Sequence, residues 1–210
     1  MQQCTEGSNP SPSAKTVMKK TEDNNDRDAR LVREALTNTD IFAEIISNYQ
    51  PALSRYIRRL GCRDDEDVDD VLQEIFLKVY INLNQYNPSL SFSSWIYRIT
   101  HNETVSYFRQ KKVRPALVSS DEAKKFLDNL ASDEDIAELI NAKINRSYLI
   151  HNLSELDEKY RYVLVLKFFE GKTYSEISDI LKVPMGTVAT LVSRAKKQLE
   201  AKLRSNERQK

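Results

Sequence analysis

Glycine occurs four times and proline six times in 210 residues. That scarcity argues against a turn-rich β architecture, and with 30% charged residues it favours helices. No apolar run approaches the about eighteen residues that span a bilayer, so no membrane insertion is expected. The N-terminus also lacks the apolar core of a secretory signal, which makes the cytoplasm the expected location. The two cysteines, Cys4 and Cys62, have no metal-ligand spacing, and His101 and His151 are equally isolated. Without a nucleophile–base pair, metal constellation or phosphate loop, neither an enzyme nor a cofactor is expected.

A net charge of +1 does not mark a nucleic-acid binder. The distribution is more telling: cations crowd at 109–114 and 194–204, acids at 64–74 and 133–138. Segregated signs suggest separate surfaces for separate partners. At this length the chain accommodates one or two domains with cores of their own. Residues 1–27, rich in Ser, Pro, Asn, Gln and Lys, read as a disordered tail. Residues 28–114 form a first helical block, 115–146 a linker with room for one short helix, 147–204 a second helical block, and 205–210 a C-terminal tail. The expected fold class is all-α: two small helical domains joined by a flexible linker.

In the first block Phe42, Ile45, Ile46, Tyr49, Leu53, Tyr56, Ile57 and Leu60 recur at three and four residues. Gly61 is placed to end that helix. Acids at 64–67 suit the positive end of the next helix dipole. Asn87-Pro88-Ser89-Leu90-Ser91 must be a loop. A further helix starts near Phe92 and fades at Pro115.

The second block contains Thr173-Tyr174-Ser175-Glu176, a capping-box pattern that opens a helix ending before Pro184. Gly186-Thr187-Val188 then opens another, with Val188, Leu191, Val192, Ala195, Leu199 and Leu203 on one apolar stripe. Thr190, Ser193, Arg194 and Lys197 face the other way. Two helices with a tight turn, the second amphipathic and basic, make a helix-turn-helix whose second helix suits a major groove. A plain bundle helix with a solvated face is the competing reading. Upstream, Tyr160 to Phe169 is apolar nearly all round and reads as a buried supporting helix, with Asp157 as its cap and Gly171 at its end.

Two faces of the first block stand out. On the helix after the acids, Val68, Val71, Leu72, Ile75, Phe76 and Val79 form the core stripe, while Asp70, Gln73, Glu74, Leu77 and Ile81 project oppositely. Aliphatics rimmed by carboxylates suggest a protein contact; packing on a neighbouring helix is the alternative. On the helix from Phe92, Arg98, Asn102, Arg109 and Lys112 lie within roughly 80°. That stripe, beside Phe92, Trp95, Tyr97, Tyr107 and Phe108, suits melted nucleic acid, or else is the solvated flank of a core tryptophan. Trp95 itself is expected in the core.

Taken together, these segments resemble the extracytoplasmic function group of bacterial sigma factors. Asp67-Val68-Asp69-Asp70-Val71-Leu72-Gln73-Glu74-Ile75-Phe76 looks like their region 2.2. Phe92 through Asn102 looks like regions 2.3 and 2.4, and Leu153 through Lys197 like region 4. The resemblance implies that Asp70, Val71, Leu72, Gln73 and Glu74, with Leu77 beside them, dock on the clamp helices of the largest polymerase subunit. It implies that Tyr86, Asn87 and Ser91, with Arg98, Asn102, Arg109 and Lys112, meet the melted non-template strand of the −10 element, where a flipped base is captured. It implies that Thr173, Ser175, Glu176, Thr187, Thr190, Ser193, Arg194 and Lys197 meet the duplex −35 element. Core RNA polymerase (clamp helices and flap), promoter DNA and an anti-sigma factor are the implied partners. Ala189, Thr190 and Leu191 stand where the family carries Lys-Ser-Arg or similar, so two cations are missing from the reader helix. A conventional helix-turn-helix regulator that binds duplex DNA without polymerase is the second reading; it has no need of the outward Asp70–Ile81 face.

Overall fold

Asn38 accepts a hydrogen bond from the Asp40 amide and so caps one end of a 22-residue helix, and Gly61, at φ 125°, turns the chain out of the other. The computed structural model describes residues 25–62, 64–111, 152–153 and 155–207. Its helices are labelled α1 (25–35), α2 (Thr39–Leu60), α3 (Asp65–Ile81), α4 (Phe92–Lys111), α5 (Glu158–Leu164), α6 (Tyr174–Leu181) and α7 (Met185–Glu207). No strand occurs among the described residues, and none of their helices is long and apolar enough to cross a membrane. The linker at 115–146, most of the N-terminal tail and Lys112 lie outside the described residues.

Residues 25–27, inside the stretch expected to be a tail, are helical as part of α1. Tertiary contacts hold this part of the helix: Arg27 pairs with Glu44 at 3.5 Å, and Tyr49 donates to the Asp28 carboxylate. Leu31, Val32 and Ala35 are its buried face. Helix α2 runs unbroken through Pro51, although proline removes one ladder hydrogen bond. Leu53, Tyr56, Ile57 and Leu60 are wholly buried just beyond it. Burial of each such side chain contributes about 1.5–3 kcal/mol, enough together to outweigh the missing bond. Asp64 caps α3, and three acids in its first turn complement the helix dipole. Helices α2, α3 and α4 pack on one another as the first bundle.

In the second block α7 lies against α5 and α6. Helix α5 does not continue regularly to Phe169: Val165–Phe169 widens into a π turn, and Gly171 adopts φ +63°. Asp157 sits at the N-cap without a side-chain cap bond and pairs with Lys159 at 3.3 Å instead. Helix α7 extends to Glu207, into the stretch expected as a tail. The blocks also touch each other, α6 lying against α4 and the π turn against α2.

His101, isolated in sequence, is buried where the blocks meet. Its Nδ1 faces the Tyr56 hydroxyl at 3.1 Å, and its ring meets Tyr162 edge-on at 4.7 Å between centroids. Burial lowers its imidazole pKa from 6.5 to about 4. Between those values the unfolded chain takes up a proton that the folded chain excludes. Stability is therefore complete above about pH 6.5 and falls as the pH drops towards 4, by on the order of 3 kcal/mol from this group. Urea titrations at descending pH should show that loss, and His101→Gln should show a flatter profile. An equally steep profile in the variant would remove the assignment.

Candidate partner and nucleic-acid interfaces

The α3 period divides the helix cleanly. Val71 and Leu72 are 3% and 4% exposed, inside the core with Val68, Ile75 and Val79. Of the six residues expected at the polymerase contact, these two are inward, so any docking role for them is to set the helix, not to touch a partner. Asp70, Gln73 and Glu74 are exposed. Leu77 and Ile81 are 53% and 61% exposed, so the greater part of each is open to solvent. Tyr80, 46% exposed and edge-on to Phe42 at 5.1 Å, widens the same apolar patch. Sequence periodicity had not singled it out.

The loop before α4 is anchored by aromatics. Tyr86 is 8% exposed; its ring meets Phe92 at 5.3 Å and Trp95 at 5.6 Å, and its hydroxyl donates to the Leu90 carbonyl. Its ring is thus core, and it shapes the loop from beneath. Asn87 accepts from the Ser89 amide at 3.0 Å and hydroxyl at 2.8 Å, closing an Asx turn. Ser91 accepts from the Ser94 amide at 3.4 Å, at the start of α4. These bonds fix the loop backbone while leaving Asn87 exposed and Ser91 half-buried.

On α4, Asn102 and Arg109 are exposed and Arg98 half-buried. Among the described residues neither arginine has an ion-pair partner. By contrast Lys111 donates to Asp67 and Lys78 pairs with Glu103 at 2.6 Å, which ties α4 to α3 and neutralises both lysines. The bond from Lys111 is the main cause that holds the Asp67 carboxyl below its usual range. The aromatics expected beside the stripe are mostly unavailable for stacking: Phe92, Trp95, Tyr97 and Phe108 are buried, Trp95 as expected. Only Tyr107 is partly exposed, with Lys111 over its ring at 5.0 Å. A helix of this size has one core stripe, and large rings claim it first.

The helix-turn-helix forms as its local sequence dictates. The Thr173 amide donates to Glu176 at 2.8 Å, and the Glu176 amide donates to the Thr173 hydroxyl at 3.2 Å, a complete capping box. Both residues thus have structural work, and Ser175 is the freely exposed member of that turn. Lys182 ends α6 in the left-handed region, at φ 55°, and Ser178 donates to the Val183 carbonyl at 2.6 Å. The Pro184 carbonyl accepts from the Thr187 and Val188 amides and starts α7. Val188, Val192, Ala195, Leu199 and Leu203 are buried, with Leu191 at the half-buried margin. Thr187, Thr190, Ser193, Arg194 and Lys197 are exposed along the opposite side. Among the described residues Arg194 and Lys197 have no ion-pair partner. A Cβ on Gly186 would meet nothing within 4 Å, so the chain's own packing does not require glycine there. No group of three or more His, Cys, Asp or Glu able to hold a metal occurs among the described residues.

Comparison with known proteins agrees with this geometry. Sigma-70 region 2 matches residues 45–114 and Sigma-70 region 4 matches residues 146–199. The chain is 31% identical over 170 residues to the ECF RNA polymerase sigma factor SigW of Bacillus subtilis (strain 168), covering 79% of this chain and 90% of that protein. It is 30% identical over 168 residues to the ECF RNA polymerase sigma-E factor of Escherichia coli (strain K12), covering 77% and 86%. In fold it resembles CnrH, solved in complex with the cytosolic domain of CnrY, with a TM-score of 0.61 and 23% identity over 85% of this chain and 97% of that one. It also resembles the sigma factor RpoE of Bartonella quintana, solved with the anti-sigma factor NepR, with a TM-score of 0.54 and 18% identity over 78% and 96%. With both region signatures in order and this identity over most of its length, the chain belongs to the ECF group of RNA polymerase sigma factors.

Proposed function

We propose that this sigma factor docks on core RNA polymerase through the outward face of α3, and that this face is the observation that carries the reading. Asp70, Gln73 and Glu74 rim an apolar patch of Leu77, Tyr80 and Ile81, each about half exposed or more. A helix-turn-helix regulator acting without polymerase has no use for such a patch. Core clamp helices are the partner that fits it, and the cytoplasm is where they are met. The protein acts as a non-catalytic specificity subunit. Its region 2 domain spans 28–114, 115–146 is the linker and 147–204 the region 4 domain. A solved relative in fold is bound to an anti-sigma factor, which supports the same class of partner here.

At the promoter, Asn87, Ser91, Arg98, Asn102, Arg109 and Lys112 meet the melted −10 strand, the cations on phosphates and the loop at an extruded base. Tyr86 braces that loop. Thr187, Thr190, Ser193, Arg194 and Lys197 meet the −35 duplex, with Ser175 beside the capping box at the backbone. The bare Gly186 leaves room for a close phosphate approach. With Ala189 and Leu191 in place of cations, base choice at −35 rests on Thr187, Thr190 and Ser193.

Run-off transcription with purified core polymerase and the protein's own upstream DNA tests the proposal. A promoter-specific transcript that depends on this protein is the expected result; no transcript and no complex with core would refute it. In a binding titration of −35 duplexes at graded salt, Arg194→Ala with Lys197→Ala should weaken binding about equally across sequences. The salt slope should fall by about 2, one for each lost phosphate contact.

A further inference from the structure

The outward face of α7 begins without the groups that read most bases. Val188, Val192, Ala195 and Leu199 set the buried stripe, and at about 100° per residue Thr190 lies within roughly 10° of the opposite direction. Thr187 and Ser193 stand to either side, roughly 70° and 50° off that direction. Thr190 is exposed, and it heads the face because Gly186, one turn earlier, carries no side chain. Arg194 and Lys197 follow about 6 and 10 Å further along the axis. Residues 183–193 include no Lys, Arg, Asn, Gln, His, Asp or Glu.

Those missing types are the ones that hydrogen-bond most base edges. In the major groove Arg or Lys meets O6 and N7 of guanine, Asn or Gln meets N6 and N7 of adenine, and a carboxylate accepts from N4 of cytosine. The start of α7 offers hydroxyl and methyl groups instead. The apolar group that this groove displays is the 5-methyl of thymine, which small apolar side chains read by contact. The Thr190 hydroxyl does not compete for a base acceptor. It donates to the Gly186 carbonyl at 2.9 Å, so its one hydrogen is committed within the helix. That bond also selects one rotamer and leaves the methyl group uncommitted.

We propose that Thr190 is the specificity-determining residue of this helix, and that its methyl group packs on the 5-methyl of one thymine in the −35 duplex. The inference rests on the sigma reading and on the assignment of α7 to the −35 element. Arg194 and Lys197 hold phosphates and position the helix without reading sequence. Choice at −35 therefore favours an A·T pair whose thymine faces Thr190.

The test uses the holoenzyme that this protein forms with core polymerase and a pool of promoter duplexes randomised over the −35 segment. The bound fraction is expected to carry a fixed thymine. Each thymine of the selected duplex is then replaced in turn by deoxyuridine, which removes the methyl group and keeps every hydrogen-bonding group. One replacement should weaken binding about fourfold, the worth of burying a single methyl group. Thr190→Ser keeps the hydroxyl and loses the methyl, so it should bind the thymine and uracil duplexes equally. Thr190→Val keeps a methyl and loses the hydroxyl, so the fourfold preference should persist. The absence of any uracil-sensitive position, or the same sensitivity in Thr190→Ser, would overturn the proposal. Loss of the preference in Thr190→Val would overturn it too, by assigning the contact to the hydroxyl. An active holoenzyme that enriches no −35 sequence would overturn both the assignment of α7 and the proposal. Failure of the sigma reading looks different: no complex with core forms, and no run-off transcript appears.

Discussion

Leu77→Asp combined with Ile81→Asp is expected to abolish association with core polymerase while leaving helix content and melting temperature unchanged. The fold should change little, because both side chains are more than half exposed and lie outside the buried core. A complex that covers them gains about 1.5–3 kcal/mol from each. Losing both is worth on the order of 4 kcal/mol, roughly a thousandfold in dissociation constant. Two carboxylates forced against a partner add a desolvation penalty on top. Titration of fluorescently labelled protein with core polymerase reads the change. Affinity within about threefold of wild type would show that α3 docks nothing there. Asp70→Ala with Gln73→Ala separates the polar rim from the apolar centre, and loss of association in that variant too would assign both.

Phe92→Ala should be the most damaging single truncation among those that touch the −10 loop. The ring is 1% exposed and sits among Tyr49 at 5.5 Å, Tyr86 at 5.3 Å and Trp95 at 5.6 Å between centroids. Removing a buried phenyl group costs about 3–5 kcal/mol, because its neighbours close only part of the cavity. The consequence for function follows from the same geometry. Tyr86 leans on Phe92 and holds the loop through the Leu90 carbonyl, so a variant that remains folded should bind melted −10 strand poorly. Urea denaturation measures the first effect and binding to a fork-junction oligonucleotide the second. Tyr86→Phe, which loses only the hydroxyl bond, should cost about 0.5–1.5 kcal/mol. A Phe92→Ala loss of less than about 1 kcal/mol would contradict the packing assigned to the loop.

How far the site is legible in sequence differs from element to element. The helix-turn-helix is legible almost entirely. Thr173 and Glu176 make their cap bonds within one turn, and the α7 stripe from Val188 to Leu203 follows from helical period alone. The outward Leu77 and Ile81 are legible for the same reason. The aromatic surface proposed beside Arg98 is not, since spacing places a ring on a face without saying whether that face is covered. Phe92, Trp95, Tyr97 and Phe108 turn inward because α2 and α3 pack on α4. Tyr86 reads as a loop residue open to a ligand, and only the fold shows its ring beneath the loop.

What the sequence by itself determined is therefore everything governed by contacts within about four residues: helices, caps, turns, stripes, and through the motifs they compose, the family. What only the tertiary structure decided is how those elements confront one another. Glu170 reaches Arg59 across 111 positions and Tyr97 across 73, and Lys172 reaches Ser93 across 79. No local period encodes such pairs. They depend on a π turn and a positive-φ glycine that aim Glu170 and Lys172, and on two bundles whose meeting becomes visible only once both have formed.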